Sequence, residues 1–190
     1  MPRSDLSEGD DILVARAKKG DRRAFGLLIQ RYASRLINIA SRTLNHSDEA
    51  QDAVQEAMAA AWLKLDQFDV NRPLMPWLAR ITLNKCRDHL RRRKLRRFFE
   101  FDGAEDTRIE TADRTPDQSI QLESRQMLAL MEEKISNLPH GLREPFILAT
   151  FDELAQAEIA SLLKISEKAV ETRIYRARNK LREALKKIEG

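Results

Sequence analysis

Residues Ser47 to Leu65 read SDEAQDAVQEAMAAAWLKL, and this stretch decides the fold class. Positions 50, 53, 54, 57, 58, 61, 62 and 65 are Ala, Ala, Val, Ala, Met, Ala, Trp and Leu, an apolar stripe at helical spacing. Ser47 is the expected N-cap, and Asp48 and Glu49 put negative charge in the first turn, where the helix dipole favours it. One continuous face is therefore core. On the opposite face Asp52, Gln55 and Glu56 line up at i, i+3 and i+4. The like-charged pair Asp52 and Glu56 costs roughly 0.2–0.5 kcal/mol, which an ordinary solvated face tolerates.

Helical spacing continues in both directions, and no run alternates with period 2, so the chain is expected to be all-α. Asp10 or Asp11 is placed to cap a first helix through Lys19, with Gly20 ending it at positive φ. A second helix is expected over Arg22–Leu44, burying Phe25, Leu28, Ile29, Tyr32, Leu36 and Ala40 until Asn45 to Ser47 break the pattern. Asp66 to Met75 reads as a loop, and Pro76 fits the first position of a fourth helix, where its missing N–H costs nothing. Trp62 and Trp77 read as core rather than as a stacking platform. Further helical patterns cover about 120–135, 142–150, 156–163 and 167–187.

Charge divides the chain. Residues 1–95 carry 18 basic and 12 acidic side chains, residues 96–122 carry 4 and 7, and residues 123–190 carry 12 and 11. The acidic middle piece is poor in aliphatic residues and holds Pro116, as a solvated tether should. The expected architecture is two small helical domains, 1–97 and 122–190, joined by a flexible linker at 98–121. With 42% apolar and 34% charged residues, the 190-residue chain is neither collagen-like nor uniformly disordered. A single cysteine, Cys86, excludes an internal disulfide, and no long apolar run or signal sequence is present, which points to a reducing cytoplasm.

Two basic segments invite a nucleic-acid reading. Gln156 to Leu163, a break at Lys164-Ile165, and Ser166 as N-cap of a long helix have the spacing of a helix-turn-helix. In the long helix Val170, Ile174, Ala177 and Leu181 form the inward stripe. Lys168, Glu171, Thr172, Tyr175, Arg176 and Asn179 point outward, where they can read bases or hold phosphates. By spacing alone an ordinary helical bundle accounts for the pair as well. Lys85 to Arg97 holds eight basic residues and one acidic residue, Asp88. It reads either as a phosphate-binding surface or as a solvated helix end favoured by the macrodipole. Arg80, Asn84, Arg87 and Arg91, spaced 4, 3 and 4, form one polar stripe whose like charges repel unless an anion sits among them.

Catalysis finds little support. His46, His89 and His140 lack the companion spacing of a metal site, and neither G-x-S-x-G nor a Gly-rich phosphate loop occurs. No enzymatic activity, metal or cofactor is expected, and Cys86 is expected to be buried as a small hydrophobe.

The order of these features is more specific than any one of them. Asp48 to Glu56, Ala60-Ala61-Trp62, Phe68, Pro76-Trp77-Leu78, Arg80-Ile81, Asn84 and Asp88 resemble the second region of bacterial sigma factors of the extracytoplasmic-function (ECF) type, in the sigma-70 superfamily. Leu138-Pro139, Arg143 to Phe146, Glu158 to Ala160, Ile165-Ser166 and Val170 to Arg178 with Leu181 resemble their fourth region. The resemblance covers about 10–95 and 122–188.

The resemblance implies a subunit that joins core RNA polymerase and directs promoter-specific transcription initiation, in a stress or envelope response. The face matching Asp52, Gln55 and Glu56 would dock on a coiled coil of the largest polymerase subunit. The loop at about Phe68 to Leu74, with Asn84, would capture a base of the minus-10 element, while Arg87, Asp88, Arg91 and Arg92 complete that surface. The fourth region would touch the polymerase flap and lay its last helix in the minus-35 major groove. There Ser166 starts the helix, Lys168, Glu171, Thr172 and Tyr175 specify, and Arg173, Arg176 and Arg178 position on phosphates. An anti-sigma factor is a further implied partner. The chain departs from the family at Lys164, where Gly is usual, and at Ala155, where a small hydroxyl residue is usual. Lys164 must adopt positive φ at a cost of about 1 kcal/mol, or the turn must differ. A helix-turn-helix regulator that is not a polymerase subunit would explain residues 120–190 but not the pattern at 48–88.

Overall fold

The computed structural model describes the backbone of residues 8–100 and 119–189 and the side chains of residues 8–96 and 127–186. Among these residues there are α-helices, one 3₁₀ turn and no strand. The order is α1 Asp10–Lys18, α2 Arg22–Leu44, α3 Ser47–Lys64, the 3₁₀ turn Leu65–Gln67, α4 Leu74–Glu100, α5 Ser119–Ser136, α6 His140–Thr150, α7 Gln156–Leu163 and α8 Glu167–Glu189. The all-α expectation holds. Of the expected linker at 98–121, residues 101–118 lie outside the described residues.

Local chemistry sets the helix ends, with three corrections. Gly9 rather than Asp10 or Asp11 caps α1. Asp10 lies inside the helix and instead accepts hydrogen bonds from Arg31 and the Tyr32 hydroxyl of α2. His46, not Ser47, caps α3, its Nδ1 accepting from the Glu49 N–H at 3.3 Å. Third, α4 begins at Leu74, so Pro76 sits at the third helical position; its N–H would have been unpaired there too. The Arg22–Leu44 bounds of α2 are those expected. Asp21 accepts from the N–H groups of Arg23 and Ala24 at 3.0 and 3.1 Å, and Asn45 ends the helix at φ 54°.

The N-terminal bundle closes on α3. Ala50, Ala53, Ala57 and Ala61 are fully buried, so their small side chains let α2 and α4 approach closely. Around them pack Leu28, Leu36, Ile39, Met58, Leu65, Leu78 and Leu83. Both tryptophans are packed against this core as expected: Trp62 stacks at a tilt on Phe25 and Trp77 on Phe68, each with centroids 5.0 Å apart. Cys86 is fully buried, and burial pushes its thiol pKa up to about 12, so it is an inert core residue.

The two units touch. Leu148, Ile159, Ala160, Leu162, Val170 and Ile174 from α6, α7 and α8 belong to the same apolar cluster as α1 to α4. A second, smaller cluster of Ile135, Leu138, Phe146, Ile147, Ala177 and Leu181 lies within the C-terminal unit. Polar links fasten the seam. Arg143 is buried and donates through Nη1 to the Thr43 carbonyl at 2.6 Å and through Nη2 to the Leu138 carbonyl at 2.8 Å. Arg35 pairs with the buried Asp152 at 3.1 Å, and the Arg42 guanidinium lies 4.0 Å from the centroid of the Phe151 ring. Pro145 sits inside α6 and forgoes one hydrogen bond in its first turns.

Candidate nucleic-acid interface

Three surfaces carry the expected site residues, and they differ in availability. On α3, Asp52 and Gln55 are exposed as expected. Glu56 is not a free solvated carboxylate. Its oxygens meet Lys85 Nζ at 3.1 Å, His89 Nε2 at 3.3 Å and Arg92 Nη1 at 3.6 Å, all from α4. The Lys85 hydrogen bond, aided by the charges of Lys85, His89 and Arg92, holds the Glu56 carboxyl below its ordinary pKa. Glu56 therefore cross-braces α3 to α4, and a docking face built on it contains Asp52 and Gln55 as its accessible part.

The second surface is the polar side of α4 with the loop before it. Asn84 is exposed and accepts from Arg87 Nη1 at 2.9 Å. Arg87 also donates to both oxygens of Glu144, through Nε at 2.8 Å and Nη2 at 2.5 Å. Asp88 accepts from Arg91 at 3.3 Å. The anion that the stripe of Arg80, Asn84, Arg87 and Arg91 calls for is thus supplied within the chain, by Glu144 and Asp88. Arg91 and Arg92 keep 78% and 60% of their side-chain surface exposed.

Phe68 does not face this surface. It is 5% exposed, stacked on Trp77, and its carbonyl accepts from Lys18 Nζ at 2.7 Å. Its aromatic ring is a core anchor rather than a base contact. What the loop exposes is its tip, Asp69 to Arg72. There Asp69 accepts from the Asn71 N–H at 3.0 Å and pairs with Arg72 at 3.4 Å, and the Asn71 bond is the main reason its pKa is lowered. The Asp-Val-Asn-Arg signature is that of an Asx turn, readable from the sequence alone.

The third surface is α8. Lys164 takes φ 56°, ψ 48°, the left-handed alternative foreseen for it, and the Ile165 N–H bonds back to the Ala160 carbonyl at 3.1 Å. Ala155 caps α7 with no side-chain bond, while Glu158 accepts from its N–H at 2.9 Å, half of a capping box. Ser166 Oγ accepts from the Ala169 N–H at 3.2 Å and starts α8 as expected. Val170, Ile174, Ala177 and Leu181 are buried. Lys168, Glu171, Tyr175, Arg176 and Arg178 are exposed, Thr172 and Arg173 half-buried. Lys168 and Glu171 pair at 2.8 Å, and the Thr172 hydroxyl donates to the Lys168 carbonyl at 2.8 Å.

Among the described residues no His, Cys, Asp and Glu side chains gather as a metal site, and no helix is long and apolar enough to cross a membrane. The burial of Arg143, Glu144 and Asp152 is not legible in the sequence, because a charged residue at a core position of a helical pattern reads as solvent-facing.

Known proteins place these surfaces in context. Residues 28–96 match the family described as Sigma-70 region 2, and residues 128–181 match Sigma-70, region 4. The RNA polymerase sigma factor CnrH of Cupriavidus metallidurans is 38% identical over 92% of this chain and 93% of its own. A solved structure of CnrH in complex with the cytosolic domain of CnrY aligns with TM-score 0.70 and 34% identity, over 94% of this chain and 98% of that one. The ECF RNA polymerase sigma factor SigW of Bacillus subtilis is 31% identical over 92% of this chain and 96% of its own. The sigma factor RpoE of Bartonella quintana, solved with the anti-sigma factor NepR, aligns with TM-score 0.68 and 26% identity, over 85% of this chain and 96% of that one. With both regions present in order and relatives matched along nearly their whole length, this chain belongs to the ECF RNA polymerase sigma factors.

Proposed function

We propose that this chain binds core RNA polymerase and directs it to particular promoters in the cytoplasm, with no catalytic chemistry of its own, as part of a stress or envelope response. The observation that carries the reading is α8: a Ser166-capped helix with its apolar stripe buried and Lys168, Glu171 and Tyr175 presented together behind a tight turn. Such a helix fits a major groove, its first N–H groups meeting the DNA backbone and its next turns reaching base edges. Lys168, Glu171, Thr172 and Tyr175 would specify the minus-35 element, and Arg173, Arg176 and Arg178 would hold phosphates.

On the minus-10 side, Asn84 has both donor and acceptor for an unstacked base, and Arg87, Arg91 and Arg92 supply phosphate contacts. The loop tip Asp69 to Arg72 replaces Phe68 in this reading. Asp52 and Gln55, with Glu56 behind them, would dock on the coiled coil of the largest polymerase subunit, and the C-terminal unit would touch the flap. CnrH with CnrY and RpoE with NepR suggest a protein partner of the anti-sigma kind for this chain as well.

Transcription reconstituted from purified core polymerase, this chain and a genomic promoter library tests the reading. Promoter-specific transcripts that require the chain are expected. Asp52→Lys should abolish them by weakening polymerase binding while shifting stability by no more than about 0.5 kcal/mol, since Asp52 is exposed. Transcription that needs a second protein factor would overturn the reading, and wild-type polymerase affinity in Asp52→Lys would make the Asp52 and Gln55 face an ordinary solvated one.

A further inference from the structure

Lys18 closes the last turn of α1, where a cation answers the helix dipole and ordinarily stands in solvent. Here it is half-buried and reaches across the bundle instead. Its Nζ donates to the Phe68 carbonyl at 2.7 Å and to the Asp66 carbonyl at 3.3 Å, 50 and 48 residues further along the chain. Fixing a lysine side chain costs more rotamer freedom than fixing most others, so a lysine held on two backbone oxygens is holding something in place. Both carbonyls belong to the turn that leaves α3. That of Phe68 matters more, because it lies in the peptide group that launches the loop tip Asp69 to Arg72.

The tip is a braced piece on one soft joint. Asp69 Oδ1 accepts from the N–H and the side-chain amide of Asn71 at 3.0 and 3.1 Å, and Asp69 pairs with Arg72 at 3.4 Å. On the near side the Phe68 ring is locked against Trp77 of α4. Between ring and tip lies the Phe68–Asp69 peptide, whose plane is set by the Phe68 ψ of 128°. Stacking fixes the ring and leaves that torsion free. Across a groove of about 250 Å³ stands α1, with buried Val14 and Leu74 beside exposed Asp11, Val70 and Arg72 along the groove. Lys18 spans from α1 to the joint itself.

We propose that Lys18 is the positioning residue of the minus-10 loop: by holding the Phe68 carbonyl it sets the direction in which Asp69 to Arg72 project, so the tip is already placed when it meets an unstacked base. This rests on the tip taking part in minus-10 recognition. Lys18 itself touches no DNA. Without its bond the tip swings about the Phe68 ψ and must be ordered at the moment of binding. That cost falls on the step in which the base is captured, not on polymerase docking or on the minus-35 contact.

The test uses holoenzyme reconstituted from core polymerase and the full-length chain, on a promoter that the wild type opens. Closed-complex affinity and the rate of opening are measured separately across salt concentrations. Lys18→Met keeps the side-chain length and removes donor and charge, while Lys18→Arg keeps both. Lys18→Met should slow opening about five- to tenfold, with closed-complex affinity, salt slope and melting temperature at wild-type values, and Lys18→Arg should return the rate to within about twofold. An abasic nucleotide stepped through the non-template minus-10 strand should slow the wild type at one position and slow Lys18→Met less there. A salt slope lowered by about one phosphate contact would overturn the proposal by making Lys18 a DNA ligand. A loss that falls equally on closed-complex affinity would overturn it too. If Lys18→Met folds poorly, Lys18→Gln carries the same expectations, its amide being too short to reach both carbonyls. A wild-type holoenzyme that opens no promoter would strike the proposed function and this proposal with it, whereas unchanged opening in Lys18→Met would strike this proposal alone.

Discussion

The two long basic helices, α4 and α8, look alike in sequence and are treated oppositely by the fold. On α8 the bonds among outward side chains are made within the helix, Lys168 to Glu171 and Arg182 to Asn179. On α4 the cations answer to carboxylates and carbonyls of other elements: Lys85 and Arg92 to Glu56, Arg93 to Glu49 and the Leu44 carbonyl, Arg87 to Glu144. The reason is position. Helix α8 shows one buried stripe and a solvent face, whereas α4 is wedged against α2, α3 and α7. A run of positive charge is therefore open to solvent on α8 and a mostly committed structural network on α4, where Arg91, Arg96 and Arg92 keep 78%, 67% and 60% of their side-chain surface exposed.

The largest expected effect probes what seats α4. Phe68→Ala should cost about 3–5 kcal/mol, because it empties a buried ring position against Trp77. Val70→Ala at the exposed tip should stay within about 0.5 kcal/mol. Urea denaturation separates them. An unchanged midpoint for Phe68→Ala, together with lost promoter opening, would move Phe68 back to the DNA side and remove this contrast between core and loop tip.

On α8, Glu171→Ala should change the preferred minus-35 sequence by about 1–3 kcal/mol at one base pair, because a carboxylate near DNA is costly unless it accepts from a base amino group or orients a cation. Lys168 already provides that cation in the free chain. Arg176→Ala should weaken all sequences about equally. Promoter variants measured with both mutants at one salt concentration would show whether the specifying and positioning sides of α8 are reversed.

The smallest effect concerns the seam. His140, first in α6, has its pKa lowered by burial and then by Arg143, with Arg87 and Arg93 of α4 acting in the same direction and Glu144 opposing them. The closed state therefore prefers the neutral imidazole, and stability present above the ordinary value near 6.5 is lost as the pH falls below it toward the folded value. A modest expansion on acidification from neutral pH is expected by small-angle scattering, and His140→Gln should flatten it. An identical profile in that variant would assign the pH response to groups other than His140; Asp152 is not among them, because its raised pKa acts with the opposite sign.

What was legible in the sequence follows from which signals are local. The stripe on α3, the bounds of α2 and the inward positions of α8 are set by spacing along one helix, and they stand as read. The left-handed Lys164 was readable as one of two outcomes because a single backbone constraint framed it. Glu56 and Arg87 were misjudged as solvent-facing because their partners lie 29 to 36 and 57 residues away, beyond any periodicity. Arg143 and Glu144 show the same limit from the other side: nothing in their own helix marks them as buried, and only the approach of α2 and α4 explains it. The caps at Gly9 and His46 shifted by one residue because several neighbouring side chains could serve, and backbone geometry selected among them.

The fully buried alanines beneath α3 have a dimensional consequence for recognition at its outer face. A helix seated on methyl groups lies near the short end of the usual 8–10 Å spacing between helix axes. Every ångström gained underneath is transmitted outward, because the helix is stiff along its length and Asp52 and Gln55 ride on its far side. A valine at position 53 or 57 would overpack the contact by about 1–3 kcal/mol and lift the proposed docking face out of register. The fit of this subunit to a much larger machine is thus gauged by its smallest side chains, which touch nothing outside the protein.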